Sequence, residues 1–326
     1  MAASKGKVAW DVACFGELVM DLVPHSKSGE EWLYAPSPGG APGNVAVGLA
    51  RLGRRVVMLG KVGDEGFGNM IVSALDRYGV DTSGVTRAAC EKTGLSVVTL
   101  GRHGEREFIF YRDNAADLAI DLDDVNAELI EHATISHFGV LPISAPRSAA
   151  AQRKAISLAK AAGRLVSVDP NFRPALWQDP DAMLFAAREL IAQADIVKLS
   201  EDELFGLTDM SSIEEAVRSL WHKRLKTVAV TRGRHGAELF TARERFVCSG
   251  YAVEAIDTTA AGDAFMASLL SGLLEIAMDT AHHQQLAHIL RSACAAGALA
   301  TTIRGAMASI PGREDIAQFM NGRSES

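Results

Sequence analysis

Short runs of β-branched residues alternate with helical patterns over most of this 326-residue chain. Alternation of this kind predicts a mostly parallel sheet with helices on both faces. The predicted strands are Val12–Phe15, Arg55–Gly60, Leu165–Asp169, Asp195–Leu199 and Thr227–Thr231. The predicted helices are Gly43–Leu52, Gly68–Tyr78, Ala145–Ala162, Asp181–Ala192 and Ile213–Lys223. Ligands of such sheets bind beyond the carboxyl ends of the strands, so we expect the functional site there.

One region departs from this alternation and predicts a second, smaller sheet. Gly94–Leu100 and Arg106–Tyr111 alternate like strands on either side of the turn Gly101–Gly104, which indicates a β-hairpin. With the extended stretches Leu18–Val23 and Trp32–Tyr34, the hairpin could cover the ligand site as a lid. An edge hairpin without that role is the alternative. The predicted organisation is a single domain over residues 1–326, with the lid drawn from about residues 17–38 and 93–120.

Charge and cysteine content exclude several classes of function. The chain carries 33 Lys and Arg against 40 Asp and Glu, with no basic block, so we expect neither nucleic acid nor a membrane as partner. The four cysteines have no paired spacing, which favours free thiols in a reducing compartment over a zinc site. The N-terminus has no apolar signal core, and the longest apolar helix, from Ala264, meets Glu275 too soon to span a bilayer. We therefore expect a cytoplasmic protein.

The segment Asp257–Asp263 has the composition of an anion-binding turn. It joins a strand-like run, Tyr251–Ile256, to an unusually apolar predicted helix, Ala264–Met278. Small residues before a helix let backbone N–H groups surround an anion, and the helix dipole favours negative charge there. The carboxylate of Asp263 beside such a turn suits a base that takes a proton from a group attacking a phosphate. The alternative is that Asp263 only caps the helix.

Small and polar residues also mark the first predicted strand and helix. Gly39 and Gly40 precede the helix, where glycine permits close approach of a ligand, and Asn44 offers both a donor and an acceptor. A plain turn capped by Asn44 is the alternative. Asp21 follows the first strand and could accept hydrogen bonds from sugar hydroxyls, unless it simply faces solvent.

Another polar cluster closes the predicted strand Leu165–Asp169. Asp169, Asn171 and Arg173 place three polar groups at one strand end, where a ligand crevice is expected. Arg173 could meet a phosphate or a sugar oxygen. Near the C-terminus, Gly305–Pro311 follows an Ala-rich helix and could form the wall of a site for a flat apolar ligand.

Two clusters follow later strands. Ser200 and Glu203, just after Lys198, have the spacing of a helix capping box, and this pair could serve as cap and site together. The segment Thr231–Gly236 combines glycines with two arginines and suits nucleotide phosphates. A simple β-turn explains that segment nearly as well.

Taken together, these motifs resemble the ribokinase-like (PfkB) family of ATP-dependent sugar kinases. The resemblance runs from Cys14 to Pro311 and depends on two anchors, Gly39–Gly53 and Asp257–Asp263. It implies an α/β fold, a Rossmann-type three-layer α/β/α core with a small β-sheet lid, often with a homodimer formed through the lid. It also implies a sugar and ATP as ligands, Mg²⁺ as cofactor, and often a monovalent cation such as K⁺.

The resemblance implies a role for each matching position. Asp263 is the expected catalytic base, and Ala260, Ala261 and Gly262 would form the anion hole. The sugar-binding residues would be Asp21, Gly39, Gly40, Asn44, Arg112, Asp169, Asn171 and Arg173. The ATP-binding residues would be Lys198, Ser200, Thr231, Gly233, Gly236, Gly305 and Ala306. Glu203 would organise Mg²⁺ through water, and Asp257, Thr259, Gly305 and Ser309 would hold the monovalent cation.

Two positions depart from the family's commonest pattern. Ala260 stands where glycine is usual, and its methyl group requires a negative φ while leaving the N–H donor intact. Ser200 stands in place of the Asn of an Asn-x-x-Glu motif, as in fructokinase-type members.

The substrate is inferred from similarity within the family. Gly39–Pro42, Phe110–Asp117 and Asp169–Trp177 look most like fructokinases. The expected reaction therefore transfers the γ-phosphate of ATP to a primary hydroxyl, converting fructose to fructose 6-phosphate. The alternatives are a 2-keto-3-deoxygluconate kinase, a ribokinase, or a non-catalytic sugar-binding regulator.

Overall fold

The helices and strands follow the predicted alternation closely. The computed structural model describes residues 9–28, 31–100, 106–278 and 282–322, so the predicted turn Gly101–Gly104 lies outside the described residues. The strands are β1 (Trp10–Phe15), β2 (Val19–Ser28), β3 (Glu31–Gly39), β4 (Val56–Gly63), β5 (Asp81–Ala88), β6 (Gly94–Leu100), β7 (Arg106–Tyr111), β8 (Ala133–Phe138), β9 (Leu165–Val168), β10 (Ile196–Ser200), β11 (Thr227–Thr231), β12 (Ala237–Thr241) and β13 (Arg245–Cys248). The helices are α1 (Ala41–Arg51), α2 (Gly66–Arg77), α3 (Ala127–Glu131), α4 (Pro146–Ala161), α5 (Pro180–Ile191), α6 (Glu201–Thr208), α7 (Ile213–Leu220), α8 (Ala261–Leu273), α9 (His283–Ala300) and α10 (Arg313–Asn321). None of the helices in these ranges combines the length and apolar character that a membrane span requires.

The large sheet is built around β1. Its residues Val12 to Phe15 are all buried, as expected for a strand covered on both faces. β1 pairs in parallel with β4 on one side and β8 on the other. The strand order is β13-β12-β11-β10-β9-β8-β1-β4-β5, and within the described residues the antiparallel pairs are β11 with β12 and β12 with β13. The predicted mostly parallel sheet is confirmed.

Helices cover both faces of this sheet. Buried side chains of α1, α2, α8 and α9 form a hydrophobic core on one face. Those of α3 to α7 form a second core on the other face. The three-layer α/β/α arrangement follows, because each helix buries its apolar side against the sheet.

The predicted hairpin belongs to a small sheet with the order β3-β2-β6-β7. β2 and β6 pair in parallel, while β3 and β7 pair antiparallel at the two edges. Successive side chains of a strand point to opposite faces. On β7, Phe110 therefore lines a cavity, whereas Ile109 and Tyr111 are exposed on the outer face.

Two sequence predictions near the anion-binding turn are wrong. Tyr251–Ile256 is not a strand: Tyr251 packs against Phe319 of α10, and the N–H of Ile256 donates to the Thr301 carbonyl at 2.7 Å. The helix predicted over Ala264–Met278 begins at Ala261, because small residues that also suit a turn form its first turn, and it ends at Leu273.

Candidate active site

A cavity of about 630 Å³ lies between the small sheet and the carboxyl ends of the large-sheet strands. Six of the predicted sugar-binding residues line it: Asp21, Gly40, Asn44, Arg112, Asn171 and Arg173. Gly39 instead lies behind Asp21, since a β-carbon at Gly39 would lie 2.8 Å from Asp21 Oδ2. Asp169 borders only a small adjoining cavity, together with Glu17 and Asp263. We call the 630 Å³ space the sugar-side cavity.

Asp263 lies in the first turn of α8 and points into this cavity. Its Oδ2 accepts a 2.8 Å hydrogen bond from Asn44 Nδ2, and Asp263 is only 6% exposed. Neither residue caps a helix, because the N-cap positions are Ala260 for α8 and Gly40 for α1. The capping alternatives for Asp263 and Asn44 are therefore wrong.

Burial raises the pKa of Asp263, against the opposing effects of the Asn44 hydrogen bond and the positive charges of Lys198 and Arg173. A carboxylate with a raised pKa holds a proton more strongly and is the better base. Burial also raises the pKa of Asp21, whose carboxylate accepts a hydrogen bond from Ser96.

A second cavity, of about 540 Å³, lies on the other side of the same turn. Three predicted nucleotide-binding residues, Thr231, Gly233 and Gly236, form part of its wall. Ala261 and Gly262 line this cavity, whereas the adjacent Asp263 lines the sugar-side cavity, and Thr258 borders both. We call it the nucleotide-side cavity. The start of α8 thus separates the two spaces and contacts each.

The turn after β11 is both a turn and a cavity wall. Gly233–His235 forms a single 3₁₀ turn, and the Arg232 N–H donates to the Gly236 carbonyl at 2.8 Å. Gly236 has a φ of 96°, and a β-carbon there would lie 2.0 Å from the Cys248 carbonyl oxygen. Only glycine fits this position without a shift of the backbone.

Lys198 is buried beneath the start of α8. Its Nζ donates to Asp169 Oδ2 at 2.8 Å, and a β-carbon on Gly262 would lie 3.0 Å from the same Nζ. Burial alone would lower the pKa of Lys198, but the carboxylates of Asp169, Glu203 and Asp263 raise it. Lys198 therefore supplies a fixed positive charge next to the turn.

The predicted capping box at α6 is present. Ser200 Oγ accepts from the Glu203 N–H at 3.2 Å, and Glu203 Oε2 accepts from the Ser200 N–H at 2.7 Å. The second oxygen of Glu203 accepts from the Phe172 N–H at 2.7 Å. Glu203 thereby fixes the loop that carries Asn171 and Arg173 into the sugar-side cavity.

Comparison with known proteins gives the same assignment over nearly the whole chain. Residues 10–313 match the pfkB family carbohydrate kinase. The chain is 37% identical over 330 residues to a probable fructokinase-3 of Arabidopsis thaliana, covering 100% of this chain and 95% of the relative. The chain belongs to the pfkB family of carbohydrate kinases.

Solved structures of sugar kinases share the fold. A fructokinase with bound ATP from Xylella fastidiosa superposes with a TM-score of 0.89 at 30% identity, covering 96% of this chain and 98% of that one. A Vibrio cholerae O395 fructokinase in fructose, ADP and calcium ion bound form has a TM-score of 0.84 at 34% identity, covering 94% and 98%. The predicted ribokinase-like three-layer fold with a second small sheet is confirmed.

The loops predicted to hold a monovalent cation meet at Asp257 in this sugar kinase. Asp257 Oδ1 accepts from the Thr259 N–H at 3.0 Å, and Oδ2 accepts from the Gly305 N–H at 3.0 Å. Ser309 Oγ donates to the Ala306 carbonyl at 2.9 Å. These hydrogen bonds hold the loop in place. Gly305 and Ala306 are not among the described residues that line the nucleotide-side cavity.

Glu203 is the residue predicted to organise a divalent cation, and its hydrogen bonds indicate how it could do so. Among the described residues, no group of three or more His, Cys, Asp or Glu could hold a metal by itself. Mg²⁺ commonly binds through one or two carboxylates together with substrate phosphates. Because both oxygens of Glu203 accept backbone N–H groups, a contact to Mg²⁺ through water suits this residue better than direct ligation.

The structure adds one carboxyl group that the sequence patterns did not single out. Glu17 follows β1, is buried, and lines the sugar-side cavity near Arg112. Its Oε1 accepts from the Ala41 N–H at 3.2 Å, and burial, opposed by Arg112, raises its pKa to about 7. Its position just beyond the carboxyl end of β1 is the signal that could have revealed it. Arg112 itself is buried in an ion pair with Asp117.

Proposed function

We propose that this sugar kinase transfers the γ-phosphoryl group of ATP to a primary hydroxyl of fructose, producing fructose 6-phosphate and ADP. The observation that carries the proposal is the position of Asp263, at the turn where the sugar-side and nucleotide-side cavities meet. A base at this point can reach a hydroxyl in one cavity while phosphate groups approach from the other. The similarity to fructokinases of plants and bacteria supports fructose as the sugar.

In the proposed reaction, Asp263 removes the proton from the primary hydroxyl as that oxygen attacks the γ-phosphorus. The bond between the γ-phosphorus and the bridging oxygen breaks, and ADP leaves with the electron pair. The raised pKa of Asp263 supports this role, because the proton then moves to a group with greater affinity for it. Lys198 would stabilise the negative charge from beneath the turn.

The first turn of α8 would form the anion hole. The first N–H groups of a helix have no partner within the helix, and the helix dipole adds positive potential there. Ala260, Ala261 and Gly262 occupy this position. Ala260 has a φ of −107°, so its methyl group is compatible with the backbone. That methyl is buried against α9.

The charges of the sugar-side cavity favour a neutral sugar over a sugar acid. Asp21, Asp263 and Glu17 place three carboxyl groups on its wall. Arg112, a cation on the same wall, is paired with Asp117. The carboxylate of 2-keto-3-deoxygluconate would therefore be repelled by these acids. Arg173 is the one cation of this wall that has no carboxylate partner among the described ion pairs.

The nucleotide is proposed to bind along Thr231, Gly233 and Gly236, with its terminal phosphate against the start of α8. Mg²⁺ bound to the phosphates would neutralise their charge, with Glu203 organising it through water. The Asp257 loop would bind K⁺, and a comparison of activity in potassium, sodium and choline chloride tests that part. Equal activity in the three salts would remove the monovalent cation from the proposal.

An ADP-release assay across fructose, 2-keto-3-deoxygluconate, ribose and adenosine tests the substrate. Fructose should give the highest kcat/KM. Asp263→Asn should lower kcat by about 10²–10⁴ while fructose still raises the melting temperature. If another compound of the panel gives the highest rate of ADP release, that compound replaces fructose as the proposed substrate. If the wild type binds fructose but releases no ADP, the protein is a sugar-binding regulator. If Asp263→Asn keeps near-normal turnover, Asp263 is not the base.

The small sheet is proposed to act as a lid and as the contact surface of a homodimer. Its outer face exposes large apolar side chains, among them Trp32 at 48%, Ile109 at 46% and Tyr111 at 62%. Apolar clusters of this kind commonly mark a protein contact. Sedimentation of the wild type should show a dimer and that of the Ile109→Ser, Tyr111→Ser double variant a monomer. A monomeric wild type would contradict this proposal.

The proposed compartment is the cytoplasm. All four cysteines are free thiols, Cys14 and Cys294 being buried and Cys90 exposed. Free thiols persist in a reducing compartment. Fractionation of cells that express the chain should therefore recover it with cytoplasmic markers, and recovery with secreted or membrane fractions would contradict the assignment.

A further inference from the structure

The start of α1 is capped by a side chain from another part of the chain. The first N–H groups of a helix have no partner within the helix. At α1 the N-cap residue is Gly40, which has no side chain to accept from them, and Pro42 in the first turn has no N–H. The Ala41 N–H donates to Oε1 of Glu17, which follows β1, at 3.2 Å. Glu17 thus supplies the cap that the local sequence of α1 does not provide.

Close backbone contact places Glu17 next to this end of α1. A β-carbon on Gly40 would lie 2.3 Å from the Glu17 carbonyl oxygen, and one on Gly16 would lie 2.6 Å from Pro42 Cγ. The two glycines therefore let the end of β1 and the start of α1 pack against each other without intervening side chains. As a result, the Glu17 side chain begins beside the N–H group that it caps.

The Glu17 carboxyl is buried between two cavities. Glu17 lines the sugar-side cavity and also the small adjoining cavity that Asp169 and Asp263 border. Its Oε2 is buried and has no hydrogen-bond partner among the described residues. Burial raises the pKa of Glu17 to about 7, and a proton on Oε2 would leave Oε1 able to accept the Ala41 N–H. The cap therefore persists in both protonation states.

The capped turn carries Asn44, the residue that hydrogen-bonds to the proposed base. The Asn44 N–H donates to the Gly40 carbonyl at 2.9 Å and closes the first turn of α1. Helical side chains lean back toward the N-terminus, so the Asn44 side chain lies over the turn that Glu17 caps. Its Nδ2 donates to Asp263 Oδ2 at 2.8 Å. The position of this donor therefore depends on how the start of α1 is held.

We propose that Glu17 is a positioning residue for phosphoryl transfer: by capping α1, it holds Asn44 in hydrogen-bonding position against Asp263. The inference deepens the proposed kinase function and rests on Asp263 as the base. The role requires no contact of Glu17 with the sugar or the nucleotide. Its effect reaches the base through the first turn of α1.

Loss of the Glu17 charge and loss of the Glu17 cap have opposite effects on Asp263. A nearby negative charge raises the pKa of a carboxyl, so removal of the charge alone would lower the pKa of Asp263. Loss of the Asn44 hydrogen bond would raise it, because that bond stabilises the ionised form. The direction of the shift therefore separates a capping role from a purely electrostatic one. The other charged groups around the two carboxyls, which substitutions of Glu17 leave in place, are Arg112, Asp117, Asp169, Arg173, Lys198 and Glu203.

The first experiment measures the pKa of Asp263 in the full chain without substrates, by carbon-13 NMR of labelled aspartates, with Asp263→Asn assigning the signal. Glu17→Ala should raise this pKa by up to about two units, the effect of losing a hydrogen bond to a carboxylate. Glu17→Gln keeps the acceptor and should not raise it. Glu17→Asp keeps the charge but withdraws the acceptor by one methylene, so it should raise the pKa and replaces Glu17→Ala if that variant does not fold. An unchanged or lowered pKa without the cap, or an equal rise in Glu17→Gln, overturns the proposal.

The second experiment tests whether Glu17 acts through Asn44, from the acid limb of kcat/KM for the sugar. The double variant Glu17→Ala, Asn44→Ala should shift the limb no further than Asn44→Ala alone. Glu65→Ala is the matched control, because Glu65 caps α2 through the Phe67 and Gly68 N–H groups and is not among the described residues that line either cavity. Additive shifts, or a shift in Glu65→Ala, overturn the proposal. The NMR measurement needs no turnover, so a pKa shift without ADP release would contradict the proposed function and leave the positioning role intact.

Discussion

Replacing Asn44 with alanine should shift the pH dependence of catalysis by altering Asp263. Asn44 Nδ2 donates a 2.8 Å hydrogen bond to Asp263 Oδ2 in a buried environment. This bond stabilises the ionised carboxylate and lowers its pKa, against the effect of burial. Asn44→Ala removes this hydrogen bond, so the effect of burial is less opposed and the pKa of Asp263 rises further.

The size of the shift follows from the strength of the bond. A hydrogen bond to a charged group contributes about 1.5–3 kcal/mol. One pKa unit corresponds to about 1.4 kcal/mol, so the pKa of Asp263 should rise by about one to two units in the variant. The base must be ionised to act, so activity is lost as the pH falls through this pKa. The acid limb of the pH profile should thus move to higher pH by the same one to two units.

The assay is the pH dependence of kcat/KM for the sugar at saturating ATP and Mg²⁺, which reports groups of the enzyme before the sugar binds. Loss of a sugar contact at Asn44 would lower kcat/KM equally at every pH and leave the limb unchanged. Ser268→Ala is the matched control, because Ser268 lies on α8 like Asp263 but forms its part-buried hydrogen bond with Ser292 of α9. An acid limb at the wild-type pH in Asn44→Ala, or an equal shift in Ser268→Ala, would refute the reasoning.

Two further variants test the supports of the site. Lys198→Met leaves the Asp169 carboxylate buried without its cation. The free energy of unfolding should fall by about 3–5 kcal/mol at neutral pH. The loss should be smaller in acid, where Asp169 is protonated. Urea unfolding at pH 5 and pH 8 measures this, and an equal, small cost at both values would contradict it. Gly48→Ala should lose about 1–3 kcal/mol, since its β-carbon would lie 2.5 Å from that of Ala267 where α1 crosses α8. Gly66→Ala, with open space around it, is the control and should change stability little, so equal losses would contradict the packing argument.

The strands of the large sheet could be predicted because the sequence pattern that indicates a buried strand lies within each segment. Runs such as Thr227–Thr231 are β-branched and apolar along their length, and such runs have few alternatives to a central strand. Tyr251–Ile256 shows the limit of this argument. A strand-like run does not indicate whether a neighbouring strand is available, and here the partners are Thr301 at the end of α9 and Phe319 of α10.

The site was partly predictable for a similar reason. Residues at strand ends, such as Asp21 and Asn171, follow from the rule for parallel sheets and do line the sugar-side cavity. The pairing of Asp169 with Lys198 depends on which strands are neighbours, and that is set by the tertiary fold.

The ion pair of Lys198 with Asp169 has a consequence for how a phosphate would be received. A surface lysine must give up bound water and rotamer freedom before it can neutralise an anion. Lys198 has already lost both, since it is buried and held at 2.8 Å by Asp169 in the free protein. The free energy needed to order this charge is therefore supplied by folding, and none of it has to come from the nucleotide when it binds.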